Sequence, residues 1–285
     1  MKRLFLFPRA NRRNRGTILI VAVGTIVVLS ILAVGAGSSV SQELRLSAFL
    51  TDSNTSFYYG LSAVRAMKAY WQFASSPLVT TFYELRPRPL DFGERTVEAV
   101  FSDEEALVNI SRSPSEILLR IPGIDGNEAL VQEILASPAA LKEDLLRLNG
   151  MDPEIYATLK DLVTVYGDGK VNINTATPQT LSILGCGEPL VRKIAEFRAG
   201  EDALEGTEDD NVFNDVNVIP TLLQPYGLTA SEKIFLEGLI FAQRLKTYSG
   251  NIRFEMAVKQ GNKTLRTIRA VVDLASGQIK RWDEE

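Results

Sequence analysis

The chain has 285 residues, with 31 Lys and Arg against 35 Asp and Glu, one cysteine and no histidine. The missing histidine removes the commonest general base and zinc ligand, and a lone cysteine excludes an internal disulfide and a thiolate metal cluster. The acid excess argues against tracking a phosphate backbone, so any catalysis would rest on carboxylates alone.

The charge is unevenly spread. The first sixteen residues, MKRLFLFPRANRRNRG, carry Lys2, Arg3, Arg9, Arg12, Arg13 and Arg15 and no acid; from Gly16 to Gln42 there is no charge. About 20 apolar residues at ~1.5 Å rise cross a bilayer's hydrocarbon. Bases ahead of the span leave the amino end in the cytoplasm and the rest on the far side. Three readings fit this end: a plain single-pass anchor, a secretory signal cut near Val34–Gly35–Ala36, and a leader cut after Gly16. The run exceeds the ~7–15 residues of a signal's apolar core. Helical patterning also continues beyond it, through Leu46, Leu50, Phe57, Leu61, Val64 and Trp71, with no proline between Pro8 and Pro77. One helix is predicted from about Thr17 to Phe73, apolar all round at first and then on one stripe.

Pro77, Pro87 and Pro89 mark an irregular connection. Thr96 to Phe101 alternates as a strand, Ser102 to Glu105 reads as a polar turn, and Ala106 to Ile110 as a second strand. From 111 to 237 the pattern is mostly helical. Ile252 to Lys259, Thr264 to Leu274 and Gln278 to Trp282 read as a three-strand meander, with turns at Gln260–Gly261–Asn262 and Ala275–Ser276–Gly277. The fold class is therefore α+β: a long N-terminal helix packed on an antiparallel sheet, with an inserted, mostly helical domain.

That insertion holds a repeat. Val108–Asn109–Ile110 leads into SPSEILLRIPGIDGNEALVQEIL, and Val171–Asn172–Ile173 into ATPQTLSILGCGEPLVRKIAEF. In each, Ser or Thr before Pro suggests an N-cap and first helical residue, followed by a Gly-bearing turn and a second amphipathic helix. These units look like helix-hairpin-helix motifs. Gly123, Gly126, Gly185 and Gly187 suit the turns, and Asn172, Asn174 and Thr175 suit a strand-to-helix junction. LNGMDPEIYATLKDLV supplies further helix between the copies. Such hairpins present amides to phosphate, and VNINTA ahead of one resembles membrane-anchored DNA receptors of competence. Ala106 to Ser231 carries about twice as many acids as bases, which repels a duplex.

Ala199 to Asp215, AGEDALEGTEDDNVFND, is the one ligand-like cluster. Its carboxylates repel unless a cation or water intervenes, and calcium takes six to eight oxygens from a loop that can bend. Asp202, Glu205, Asp209, Asp210 and Asp215 are the candidate ligands.

RRNRG, the apolar run and the stripe beyond it resemble the leader and rod of type IV pilins and type II secretion pseudopilins. Two positions depart from the family. Thr17 stands where it usually has phenylalanine, and Val21 where most pilins carry glutamate. A carboxylate in a membrane is costly unless paired. A subunit without it resembles the K-type minor pseudopilin, which sits at the filament tip with no subunit above. VNIN, an inserted helical domain and a final β segment occur in that type in the same order. The resemblance implies a leader at 1–16, a transmembrane and amphipathic helix at 17–75, pilin-like β segments at 76–110 and 238–285, and an inserted helical domain at 111–237. It also implies cleavage between Gly16 and Thr17 by prepilin peptidase, methylation at Thr17, calcium as a bound ion, and no catalysis. The implied setting is the inner membrane, with the C-terminal part in the periplasm, partners of the I and J types, and no nucleic acid.

Overall fold

A computed structural model of the protein describes residues 13–74 and 79–285. Most of the expected leader, the junction at 75/76 and the irregular connection at Pro77 lie outside the described residues. The chain forms two bodies, divided between Thr55 and Ser56.

Helix α1 runs Arg13–Ala74 and crosses that division. In the first body its side chains from Ile18 to Leu50 are exposed, as expected of a segment that is apolar all round. Among the described residues this is the one helix long and apolar enough to cross a membrane. Its hydroxyls donate back into the helix: Thr25 to the Val21 carbonyl at 2.8 Å, Ser30 to Ile26 at 2.8 Å, and Ser38 and Ser39 to Gly35. No water is available in hydrocarbon, so these bonds keep polar side chains compatible with lipid.

The second body begins at Ser56. After the remainder of α1 come α2 (Phe82–Leu85), β1 (Arg88–Asp91) and β2 (Thr96–Asp103), then β3 (Val108–Asn109), α3 (Ser115–Leu118), α4 (Glu128–Ala136) and α5 (Pro153–Leu159). Next are β4 (Val163–Thr164), β5 (Val171–Asn172), α6 (Pro178–Ile183), α7 (Glu188–Arg198), α8 (Ile219–Leu222) and α9 (Ala230–Phe241). The chain closes with β6 (Leu245–Lys246), β7 (Asn251–Gln260), β8 (Lys263–Asp273) and β9 (Ile279–Glu284).

One sheet has the order β1-β2-β7-β8-β9, antiparallel throughout. Val97, Ala99 and Phe101 of β2 alternate inward and meet Phe254, Met256 and Val258 of β7, as a period of two requires. The residues Ala63, Val64, Met67 and Trp71 of α1 cover this face. Of the predicted stripe, Val64 and Trp71 are buried here, whereas Leu46 and Leu50 fall in the first body and are exposed. Gly60 lets the helix approach: a Cβ there would overlap the Ile268 side chain of β8.

Two expected elements differ. Ser102–Glu105 is not a solvated turn: β2 continues to Asp103, and Glu104–Ala106 is a buried 3-10 turn. Ala106–Ile110 does not join the five-stranded sheet. Within it Val108–Asn109 forms the strand, and it pairs in parallel with β4. Both faces of this stretch are buried, so alternation could not assign its partner. The sheet therefore stops at Asp103 and resumes at Asn251. Residues 104–250 form a helical body with its own apolar core around Leu118, Ile121, Leu130, Ile134, Leu181 and Phe213.

The repeat is physical. The pair β3–β4 frames the first copy and β5–β6 the second, each two residues long and parallel. Asn109 and Asn172 each accept, through the side-chain oxygen, the N–H two residues on, at 3.1 Å in both copies. The second hairpin starts as expected, with Thr177 capping Thr180 and Pro178 in the first turn. In the first copy Pro114 itself holds the cap position, so Ser113 does not. Gly123, Gly126 and Gly185 have positive φ; Gly187 instead sits at φ −65 as the cap of α7.

Gly60→Val should drive a branched side chain into Ile268 and destabilise the head by about 1–3 kcal/mol. Gly24→Ala, in open space, should leave the denaturant midpoint of the same chain in detergent unchanged.

Candidate functional site

The sequence places three acids in a row, Asp103–Glu104–Glu105, at the end of β2. They are 5%, 1% and 2% exposed. Carboxylates enter such a setting only when each is paired and hydrogen-bonded. Asp103 caps the 3-10 turn by accepting the Glu105 N–H at 2.7 Å, and its other oxygen accepts Asn172 Nδ2 at 2.9 Å and Thr175 Oγ1 at 2.5 Å. Burial nevertheless pushes its carboxyl above the usual range, against the pull of Ser249, Thr175, Asn172 and Lys246. Glu104 accepts from Arg253 Nε at 2.6 Å and Thr164 Oγ1 at 2.7 Å, with Lys142 Nζ 4.0 Å away. Glu105 accepts the Gly250 N–H at 3.0 Å, holds Asn251 Nδ2 and pairs with Lys246. Burial pulls the Lys142 amine down to about 8, although Glu104 favours its charged form.

Three acids thus meet three bases, drawn from the sheet and from both copies of the repeat. Asn172 also donates to the Thr80 carbonyl at 2.9 Å, and Asn174 donates to the carbonyls of Phe213 and Thr247 at 3.0 Å each. The expected junction role is seen for Asn172 and Asn174, whose side chains bond backbone groups, while the Thr175 hydroxyl goes to the Asp103 carboxylate instead. What it joins is wider than a local turn: residues 80, 103, 213 and 247 converge there. Sequence reading missed this corner because Lys142, Lys246 and Arg253 are remote along the chain from the acids they neutralise.

The acidic loop is a net of local caps. Asp209 accepts the N–H groups of Glu201 and Asp202 at 2.8 and 3.0 Å and the Thr207 hydroxyl at 2.7 Å, which hold its carboxyl down at about 2. Asp210 accepts the Gly206 N–H at 2.7 Å, and Asp202 that of Leu204 at 2.8 Å. Asp215 caps residues 216–218. Glu205 pairs with Arg198, at 2.6 Å, whose buried guanidinium also donates to the carbonyls of Ile173 and Ala176. Asp202, Asp209 and Asp210 share one loop, while Glu205 and Asp215 are engaged elsewhere. Among the described residues, no group of three acidic, His or Cys side chains has the spacing of a metal site. Gly16 and Thr17 lie in α1, exposed, and a Cβ on Gly16 would stand in open space.

The second hairpin turn is not free. Arg120, from the first copy, donates to the Leu184 carbonyl at 3.2 Å, and a Cβ on Gly185 would meet Arg120 and Phe235. Glu188 follows the turn directly.

The architecture is that of a pilin-like head: a helix laid on an antiparallel sheet, with an apolar rod in the same helix. No family model and no curated protein matches the chain. Among solved structures it is similar to a chain of the GspK-GspI-GspJ complex from the type 2 secretion system of enterotoxigenic Escherichia coli. The TM-score is 0.58 at 13% identity, and the match covers 81% of this chain and 96% of the other. The α+β pilin-like fold expected from the sequence is therefore the fold of a component of that complex.

Lys246→Met should strand Glu105 as an unpaired buried charge and cost about 3–5 kcal/mol. Adding Glu105→Gln should recover a large part of the loss. Denaturant titration of the two variants checks the ordering; equal stability of wild type and Lys246→Met contradicts it.

Proposed function

We propose that this chain is a K-type minor pseudopilin, which initiates and caps the tip of a type II secretion pseudopilus. The observation that carries the reading is a pilin sheet opened between its second and third strands by a helical body, matched over four-fifths of the chain by a component of the GspK-GspI-GspJ assembly. The role is architectural. The rod holds the precursor in the inner membrane with the head in the periplasm, and Val21 dispenses with the carboxylate that would seek a subunit above. I- and J-type proteins bundle with the rod, and the head, broadened by residues 104–250, crowns the end. Prepilin peptidase removes residues 1–16 and leaves Thr17 as a methylated terminus.

Mass spectrometry of the chain expressed with and without prepilin peptidase should give a mature start at Thr17 only with the enzyme. Gly16→Leu should block it. A start at Met1 under both conditions, or near Ala36, contradicts the reading.

Calcium binding by the Ala199–Asp215 loop is a separate proposal. It requires Asp202, Asp209 and Asp210 to exchange N–H partners for the ion, with loop carbonyls completing six to eight oxygens. Millimolar calcium should then raise the melting midpoint, and Asp209→Ala with Asp210→Ala should abolish the rise. No shift in the wild type refutes it.

A further inference from the structure

The head is acidic overall, yet one groove on it holds arginine without acid. It has a volume of about 480 Å³ and lies between α1 and the edge strand β1, with Met67, Tyr70, Arg86, Pro87, Arg88 and Leu90 among its walls. Arg88 stacks on Tyr70, its guanidinium carbon 4.3 Å from the ring centre, and Arg86 stacks on Tyr83 at 3.6 Å. Nε and Nη2 of Arg88 are buried, and among the described residues neither finds an acceptor. In the corner, by contrast, each buried carboxylate has side-chain or backbone donors, and Glu104 and Glu105 have cations beside them. Neither of the two Arg88 atoms has surface open to the groove, so a carboxylate reaches them only when the side chain turns outward. A carboxylate is the acceptor whose geometry fits the fork, and leaving the donors unsatisfied is costly.

We propose that this groove takes a carboxylate side chain of a neighbouring protein, on a segment that also fills the apolar walls. The inference deepens the assembly reading above and rests on it. Charge decides between possible occupants. An anionic bilayer would face the whole acidic head and be repelled, whereas a single Asp or Glu meets only the local cations. Backbone pairing along β1 is interrupted because Pro89 has no N–H, so the occupant docks through side chains. Methionine, leucine and proline in the walls suit aliphatic neighbours of that acid. The site would thus read a short acidic-and-apolar motif on its partner.

The test uses the full chain in detergent with purified I- and J-type proteins from the same source. Arg88→Gln should weaken binding to that pair at least about tenfold, with the melting midpoint unchanged. Arg88→Lys, which keeps the charge and loses the fork, should fall between. If Arg88→Gln melts lower, Arg88→Lys and a photocrosslinker replacing Pro87 carry the test. The crosslink should land on a partner peptide within two residues of an Asp or Glu. Wild-type affinity in both Arg88 variants, with the pair bound, overturns the inference alone. Failure of the wild type to bind the pair overturns the assembly reading and takes the inference with it. A crosslink to a second copy of this chain, or Arg88-dependent capture by vesicles of anionic phospholipid in place of the pair, also overturns it.

Discussion

Three consecutive carboxylates held away from water, where the chain leaves its sheet, are the constraint on which the head depends. A strand that ends in Asp–Glu–Glu would ordinarily finish in solvent. Here the chain goes on into 147 residues of helical body before β7 resumes the sheet. The cost of burying the acids is offset only because each finds a cation or several N–H and O–H donors. Those partners come from β7, from β4 and β6, and from the start of the second repeat. The corner therefore specifies how the inserted body is joined as much as it stabilises the join. A partner set assembled from such distant points forms in one arrangement or pays for unpaired charge.

The two bodies of the chain obey different solvent rules. Up to Thr55 the helix exposes apolar side chains along its length and returns its hydroxyl protons to its own carbonyls, which suits hydrocarbon. From Ser56 the same helix turns a narrow face to the sheet, and Gly60 sets how near it comes. Two copies of a small βαα unit share one core in the inserted body, but their asparagines have diverged. Asn109 ties its own copy together through the Tyr166 carbonyl, at 2.7 Å, while Asn172 reaches out to Asp103. Both copies serve the joint, the first through Thr164 on Glu104 and the second through Asn172 and Thr175 on Asp103.

Much of this was legible from the sequence. The rod, the final meander, the β2 alternation and both repeat copies follow from periodicity, turn residues and caps, which are local signals. What escaped was non-local. Asp103, Glu104 and Glu105 read as a polar turn because nothing in their neighbourhood announces Lys246 or Arg253. Ala106–Ile110 read as a sheet strand because its true partner, Val163–Thr164, is two residues long and gives no pattern of its own. The acidic loop was legible as a cluster, but the use of Glu205 by Arg198 and of Asp215 as a cap depends on packing. Arg88 had no distinguishing mark in sequence; its meaning lies in the absence of an acceptor beside it.

The consequence of the corner is mechanical: sheet and inserted body should behave as a single piece. The chain carries its own probes for this. Both tryptophans, Trp71 and Trp282, lie against the sheet, and the sole cysteine, Cys186, is buried in the helical body. Denaturant unfolding followed at once by tryptophan fluorescence and by Cys186 labelling tests the coupling directly. Coincident transitions are expected. Labelling of Cys186 at denaturant concentrations where the tryptophan signal is still native would show the two parts to be separable, and the account of the corner would fail.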